Sequence, residues 1–188
     1  QPRGNAMLCG VGGSGRQSLT RMACFLGEVK AIQIELTRGY GLVDFREAIK
    51  EMMITSGGAT GESVAFILVD TQIIMEGFLE DVNNVLNTGE IPSLFENDEV
   101  NKIVEELRPI TTKMGIVGTR NNIWQAFVSR VRDNLHIILC MSPVGDTLRI
   151  RCRNFPALIN CCTIDWFDKW PRSALSSVAN EFLSEVEL

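Results

Sequence analysis

A catalytic or metal-binding histidine cluster, paired cysteines, an excess of positive charge and long apolar runs are all missing from this 188-residue sequence. Each absence removes a class of function. The only histidine, His136, sits inside the apolar run Leu135-His136-Ile137-Ile138-Leu139 and reads as a strand residue, not as an acid–base group or zinc ligand. Six cysteines stand at positions 9, 24, 140, 152, 161 and 162, with no Cys-x-x-Cys among them. Most lie in apolar runs, where a free thiol acts as a small hydrophobe, so reduced, buried thiols are expected. Lysine and arginine number 18 against 23 aspartates and glutamates, a net charge of −5. That balance argues against a general nucleic-acid binder and leaves only a local basic patch open. No stretch reaches the ~18 apolar residues needed to span a bilayer. Neither a start methionine nor a signal peptide opens the chain, and its last residues, Glu185-Val186-Glu187-Leu188, read as part of a helix. The expectation is a segment cut from a longer polypeptide.

What is present suits one α/β domain around a single core, with 45% apolar and 22% charged residues. Ala6-Met7-Leu8-Cys9 reads as a buried strand, and Gly10 to Gly15 as a loop. Leu19, Met22, Ala23 and Leu26 then recur at helical spacing. Ile32, Ile34 and Leu36 alternate as a strand does. Phe45, Ile49, Met52 and Met53 line a helix with Asp44 as its N-cap. Val64 to Val69 is apolar throughout, as in a strand covered on both faces. Met75, Phe78, Leu79, Val82 and Leu86 form the next helix face. Residues 96–108 read as an acidic helix with a solvated charged face, and Trp124, Phe127, Val128 and Val131 mark another. Leu135 to Met141 is a second largely apolar strand, and a further one lies between Leu158 and Phe167. Ser173 is placed to cap a final helix with Leu175, Val178 and Phe182 inside. Such alternation predicts a five-stranded, mainly parallel sheet with helices on both faces.

The segment Gly10-Val11-Gly12-Gly13-Ser14-Gly15-Arg16-Gln17 approximates the phosphate-loop pattern G-x-x-x-x-G-K-[ST], between a strand and a helix. Glycines are needed there because backbone N–H groups must approach phosphate closely, and the new helix adds its N-terminal dipole. Two parts are altered. Arg16 replaces the lysine, keeping the charge on a longer, planar, forked group. Gln17 replaces the magnesium-binding hydroxyl, and Ser18 comes one residue late. A tight structural turn is the alternative reading. The second half of such a site is an apolar strand ending in an aspartate that holds magnesium, and Phe66-Ile67-Leu68-Val69-Asp70 fits. Asp70 has a second available role as a cap for a helix over 73–87. Thr71 and then Gln72 come next, and neither can serve as a general base near neutral pH.

Several stretches together resemble one family. Gly10 through Arg21 resembles the phosphate loop of the fourth AAA+ module in axonemal dynein heavy chains. Asp70-Thr71-Gln72-Ile73 resembles that module's second motif. Phe78-Leu79-Glu80-Asp81-Val82-Asn83-Asn84 and Gly89 through Phe95 are similar to the stretch just beyond that motif. Cys140-Met141-Ser142-Pro143-Val144-Gly145, Phe155-Pro156-Ala157-Leu158 and Ile164-Asp165-Trp166-Phe167 resemble later stretches of the same module. The likeness covers nearly the whole chain in order.

The resemblance implies a P-loop NTPase fold of the AAA+ class, with residues 1–188 forming a single large subdomain and the small helical subdomain largely absent. It implies a ring of six such modules in one polypeptide, acting in cilia or flagella. Neighbouring modules of the same chain are the direct partners, and microtubules are engaged only by the parent protein. The expected nucleotide site comprises Gly10, Val11, Gly12, Gly13, Ser14, Gly15, Arg16, Gln17 and Ser18, for ATP or ADP, with Asp70 holding Mg2+, usually through water. Two positions depart from AAA+ practice. Thr71 stands where a water-activating glutamate is usual, and Ser142 where an asparagine orients the water. No arginine lies near Asn160-Cys161, where a finger for the neighbouring module belongs; Arg149, Arg151 and Arg153 lie just upstream, either reaching that neighbour or forming a basic loop on the ring surface. Trp124, Trp166 and Trp170 read as packing residues, not base-stacking platforms. A regulatory nucleotide-binding module is the first expectation. An active ATPase completed by its neighbours and a nucleotide-free spacer are the alternatives.

Overall fold

The computed structural model describes residues 2–184; the helical reading of Glu185–Leu188 lies outside them. Strands β1 (Ala6–Gly10), β2 (Lys30–Gln33), β3 (Val64–Val69), β4 (Leu135–Met141) and β5 (Thr163–Phe167) form one sheet in the order β2-β3-β4-β1-β5. Every pairing is parallel. The expected five-stranded α/β architecture is therefore the observed one. The helices are α1 (Arg16–Leu26), α2 (Leu42–Gly57), α3 (Glu76–Thr88), α4 (Asn97–Lys113), α5 (Arg120–Asn134), α6 (Thr147–Asn154), α7 (Ala157–Asn160) and α8 (Arg172–Ser184), with a 3-10 turn at Asp70–Gln72.

Strand order decides which face each helix covers. The step from β1 to β2 runs one way across the sheet, and every later step runs back. Parallel crossovers are right-handed, so the first crossover helix takes one face and the later ones take the other. The main core accordingly unites Val64, Phe66 and Leu68 of β3 with Phe45 and Met53 of α2, Phe78 and Val82 of α3, and Phe127 and Val131 of α5. Phe45 stacks on Phe78 with ring centroids 4.1 Å apart. Ile67 and Val69 point to the opposite face and join Leu8 and Cys140 in a smaller cluster. An apolar run in β3 was needed because both of its faces are covered.

Several sequence expectations are corrected. The stripe Leu19, Met22, Ala23 and Leu26 of α1 is exposed, and Arg16, Thr20 and Cys24 face the fold instead. That helix lies over the thinly covered face, where a cavity of about 420 Å³ opens beside Leu19, Ala23 and Cys24. Periodicity reports which side chains share a helix face, not whether a neighbour covers that face. Leu175, Val178 and Phe182 of α8 are exposed for the same reason. Strand β2 stops at Gln33, short of Ile34 and Leu36. Asp44 is the third residue of α2, not its cap; its carboxylate accepts the Gly41 N–H at 2.8 Å. Met75 precedes α3 and is exposed. The acidic helix is longer than expected and is not solely solvated, since Glu99 pairs with Lys50 at 3.1 Å. Trp124 packs as expected, donating to Glu90 Oε2 at 3.2 Å beside Phe127, whereas Trp166 is 69% exposed. His136 sits in β4 with Nδ1 2.8 Å from the Gly4 carbonyl oxygen. All six cysteines are free, and burial pushes the Cys140 thiol up to about 11 and that of Cys162 up to about 12.

Helices α2 and α5 meet closely at Gly57, where a methyl group would come within 2.5 Å of Val131 Cγ2 and 2.7 Å of Phe127 Cε2. Gly57→Ala is expected to lower unfolding free energy by about 1–3 kcal/mol through overpacking. Urea denaturation reads this directly, and an unchanged midpoint would mean that the two helices separate without cost.

Candidate functional site

The C-terminal ends of the strands meet at one edge of the sheet. Val69 lies opposite Cys140, Cys9 opposite Met141, and Gly10 opposite Phe167. Because β4 lies between β1 and β3, the phosphate loop after β1 is brought beside Asp70 and Ser142. Ligands of open α/β sheets bind outside these carboxyl ends.

The loop itself turns tightly. Ser14 N–H donates to the Val11 carbonyl at 3.2 Å, and Gly15 takes φ of 84°, a left-handed conformation that suits glycine. Among the described residues, the N–H groups of Gly12, Gly13, Gly15, Arg16, Gln17 and Ser18 have no acceptor. Side-chain space beside Gly12 and Gly13 is open, with no atom within 4 Å of an added methyl. The Ser14 hydroxyl is buried without a hydrogen-bond partner. Free donors at the start of α1, an open approach and an orphaned hydroxyl fit a phosphate group.

Arg16 is turned into the fold. Its guanidinium donates to the Met141 carbonyl and, at 3.3 Å, to that of Val11. The next N–H along the chain, that of Ser142, donates to Asp70 Oδ2 at 3.0 Å. The Met141 carbonyl and the Ser142 N–H belong to one peptide group. A cation therefore holds its oxygen end and a carboxylate its nitrogen end, and each contact strengthens the other by polarising the peptide. Asp70 thus does not cap the following helix: its carboxylate faces Ser142, and α3 begins only at Glu76.

Thr71 is the exposed residue of the 3-10 turn, and Thr71, Asp70 and Ser142 line one cavity of about 250 Å³. Gln72 is committed to the fold, accepting the Val69 N–H at 3.0 Å and donating to the Ile34 carbonyl. Gln17, at the magnesium-hydroxyl position, accepts from Gln33 Nε2 at 3.3 Å, and Arg21 donates to Gln33 Oε1 at 2.7 Å. Ser18 is exposed beside it. Of the three upstream arginines, Arg149 and Arg153 are exposed on α6. Arg151 instead lines the cavity beside Asp70.

Sequence reasoning missed Gln33, the structural anchoring of Arg16 and the place of Trp170. A methyl on Gly15 would sit 3.2 Å from Trp170 Cζ2, so the indole lies over the loop's last glycine. No motif signals this; the pairing of β5 beside β1 creates it.

This strand order, with a glycine loop after the first strand and an aspartate ending the third, defines a P-loop nucleoside-triphosphatase fold. The family described as "P-loop containing dynein motor region D4" matches residues 1–188, and the chain belongs to that family. It is 51% identical over 188 residues to human "Dynein axonemal heavy chain 6". It is 50% identical over 188 residues to "Dynein-1-beta heavy chain, flagellar inner arm I1 complex" of Chlamydomonas reinhardtii. To mouse "Dynein axonemal heavy chain 1" it is 49% identical over 186 residues. These alignments take in 99–100% of the chain but only 4% of each relative.

Asp70→Ala removes the acceptor of the Ser142 N–H and is expected to cost about 1–2 kcal/mol of stability. Asp70→Asn retains a carbonyl acceptor and should cost less. Equal midpoints for both variants in urea would show that this hydrogen bond contributes nothing.

Proposed function

We propose that the chain is a regulatory nucleotide-binding module of a dynein motor ring, holding ATP or ADP at the loop from Gly10 to Ser18 and hydrolysing it slowly or not at all. One observation carries this reading: the loop and Asp70 stand together in the fold, while the residue after Asp70 is Thr71, which has no carboxylate. The free N–H groups and α1 supply a phosphate cradle. Asp70 is the group to hold Mg2+, which when bound neutralises phosphate charge and supports in-line transfer. Asp70 is committed to the metal on this reading, and Thr71 at the water-activating position carries no base, where general-base catalysis alone typically supplies ~10²–10⁴ in rate.

The names of the relatives extend the proposal beyond these residues. Axonemal and flagellar heavy chains point to work in a cilium or flagellum, within the microtubule cytoskeleton. On that reading residues 1–188 are one large subdomain, neighbouring modules of the same polypeptide are its immediate partners, and microtubule contact belongs to the rest of that polypeptide. Arg149 and Arg153 are exposed on α6, and on this reading they are the arginines available to a neighbouring module.

Arg16 is proposed to exchange the Met141 carbonyl for a phosphate. Arg16→Ala should weaken nucleotide binding by about 1.5–3 kcal/mol, the worth of a charge-assisted hydrogen bond. Arg16→Lys should restore much of it; unaltered affinity in the alanine variant would remove Arg16 from the phosphate ligands. Single-turnover hydrolysis of labelled ATP tests the regulatory reading, using the full-length polypeptide with its other phosphate loops disabled. Retained, unhydrolysed nucleotide is the expected result. Turnover at the pace of a motor cycle would establish an active ATPase completed by its neighbours, and no retained nucleotide would establish a spacer.

A further inference from the structure

The cleft beside Asp70 holds a cation that the phosphate loop does not supply. Arg151, on α6, lines it together with Asp70, Thr71 and Ser142. Its side chain is only 12% exposed. Its Nε is buried and has no hydrogen-bond partner among the described residues. Glu76 Oε1 stands 3.9 Å away, beyond hydrogen-bond reach, on a side chain that is 63% exposed. A guanidinium taken from water normally recovers that cost through anions or carbonyls in contact with it. Arg149, two residues earlier, is instead 77% exposed and leans on Asp146 at 3.9 Å, as a solvated surface arginine does.

Strand order gives the cleft its polarity. Asp70 comes directly after β3 and Ser142 directly after β4, so both lie on one side of β1 and its loop, while β5 and Trp170 lie on the other. Asp70 lines this cleft, so a phosphate chain held at the start of α1 with its divalent cation at Asp70 would turn its terminal phosphate toward it. An arginine fork there matches a phosphate bidentately. We infer that Arg151 belongs to the nucleotide site of its own module and recognises the terminal phosphate of a triphosphate. It is not a residue lent to a neighbour. The inference rests on the nucleotide-binding reading above and adds to it a means of telling triphosphate from diphosphate.

The test is a comparison of ATPγS and ADP affinities, each with Mg2+, in the full-length polypeptide with its other phosphate loops disabled. Arg151→Met keeps the apolar stem and removes the fork. It is expected to lower ATPγS affinity about tenfold or more while ADP affinity changes less than about twofold, in line with loss of one charge-assisted contact. Arg151→Lys should recover part of the preference, which a packing role alone would not predict. Equal losses for both nucleotides, or no loss for either, would overturn the inference while leaving nucleotide binding intact. Failure of the unsubstituted protein to bind either nucleotide would overturn the functional reading and this inference together.

Discussion

The peptide group between Met141 and Ser142 is the joint that ties the residues of the candidate site together. Arg16 holds its carbonyl, Asp70 holds its N–H, and through it the phosphate loop, β4 and the end of β3 become one unit. A cation and a carboxylate that do not touch are thereby coupled across a single polar bond system. The arrangement gives partners to the carbonyl of the last β4 residue and to the N–H that follows it. It also keeps a mostly buried guanidinium supplied with acceptors.

That joint bears on how the altered loop should be understood. Lysine is a compact point charge with a flexible stem, whereas arginine presents a planar fork that can serve two acceptors at once. Arg16 uses the fork on the Met141 and Val11 carbonyls, bracing the loop from beneath. Trp170 covers the loop at Gly15, on the β5 side. Gln17, Gln33 and Arg21 form a polar link from the start of α1 to β2. Substitutions that look like losses in a motif are absorbed here by new structural contacts.

The two faces of the sheet differ in how fully they are covered. Helices α2, α3 and α5 close one face around stacked aromatic rings. The α1 face holds a much smaller cluster and leaves Phe25, Leu26 and Met22 in solvent. This asymmetry comes from strand order, since only the first crossover runs in its direction.

Much of this was legible in the chain itself. The apolar runs at Val64–Val69 and Leu135–Met141, the glycine loop, and the aspartate ending β3 marked the fold class and named residues of the candidate site, because burial on two faces and close phosphate approach each demand particular residue types. Local spacing could not decide whether the apolar stripes of α1 and α8 met anything, where Asp44 stood in its helix, or that Trp166 was exposed. It also could not distinguish Arg151 from Arg149 and Arg153, which share a helix and a charge. Which of these arginines turns inward depends on α6 packing beside Asp70, and which carbonyls Arg16 finds depends on β4 lying between β1 and β3. Sequence determines residue chemistry and local periodicity; only the folded chain brings residues 16, 70, 142 and 151 to one edge of a sheet, because parallel pairing aligns strand ends that are far apart along the chain.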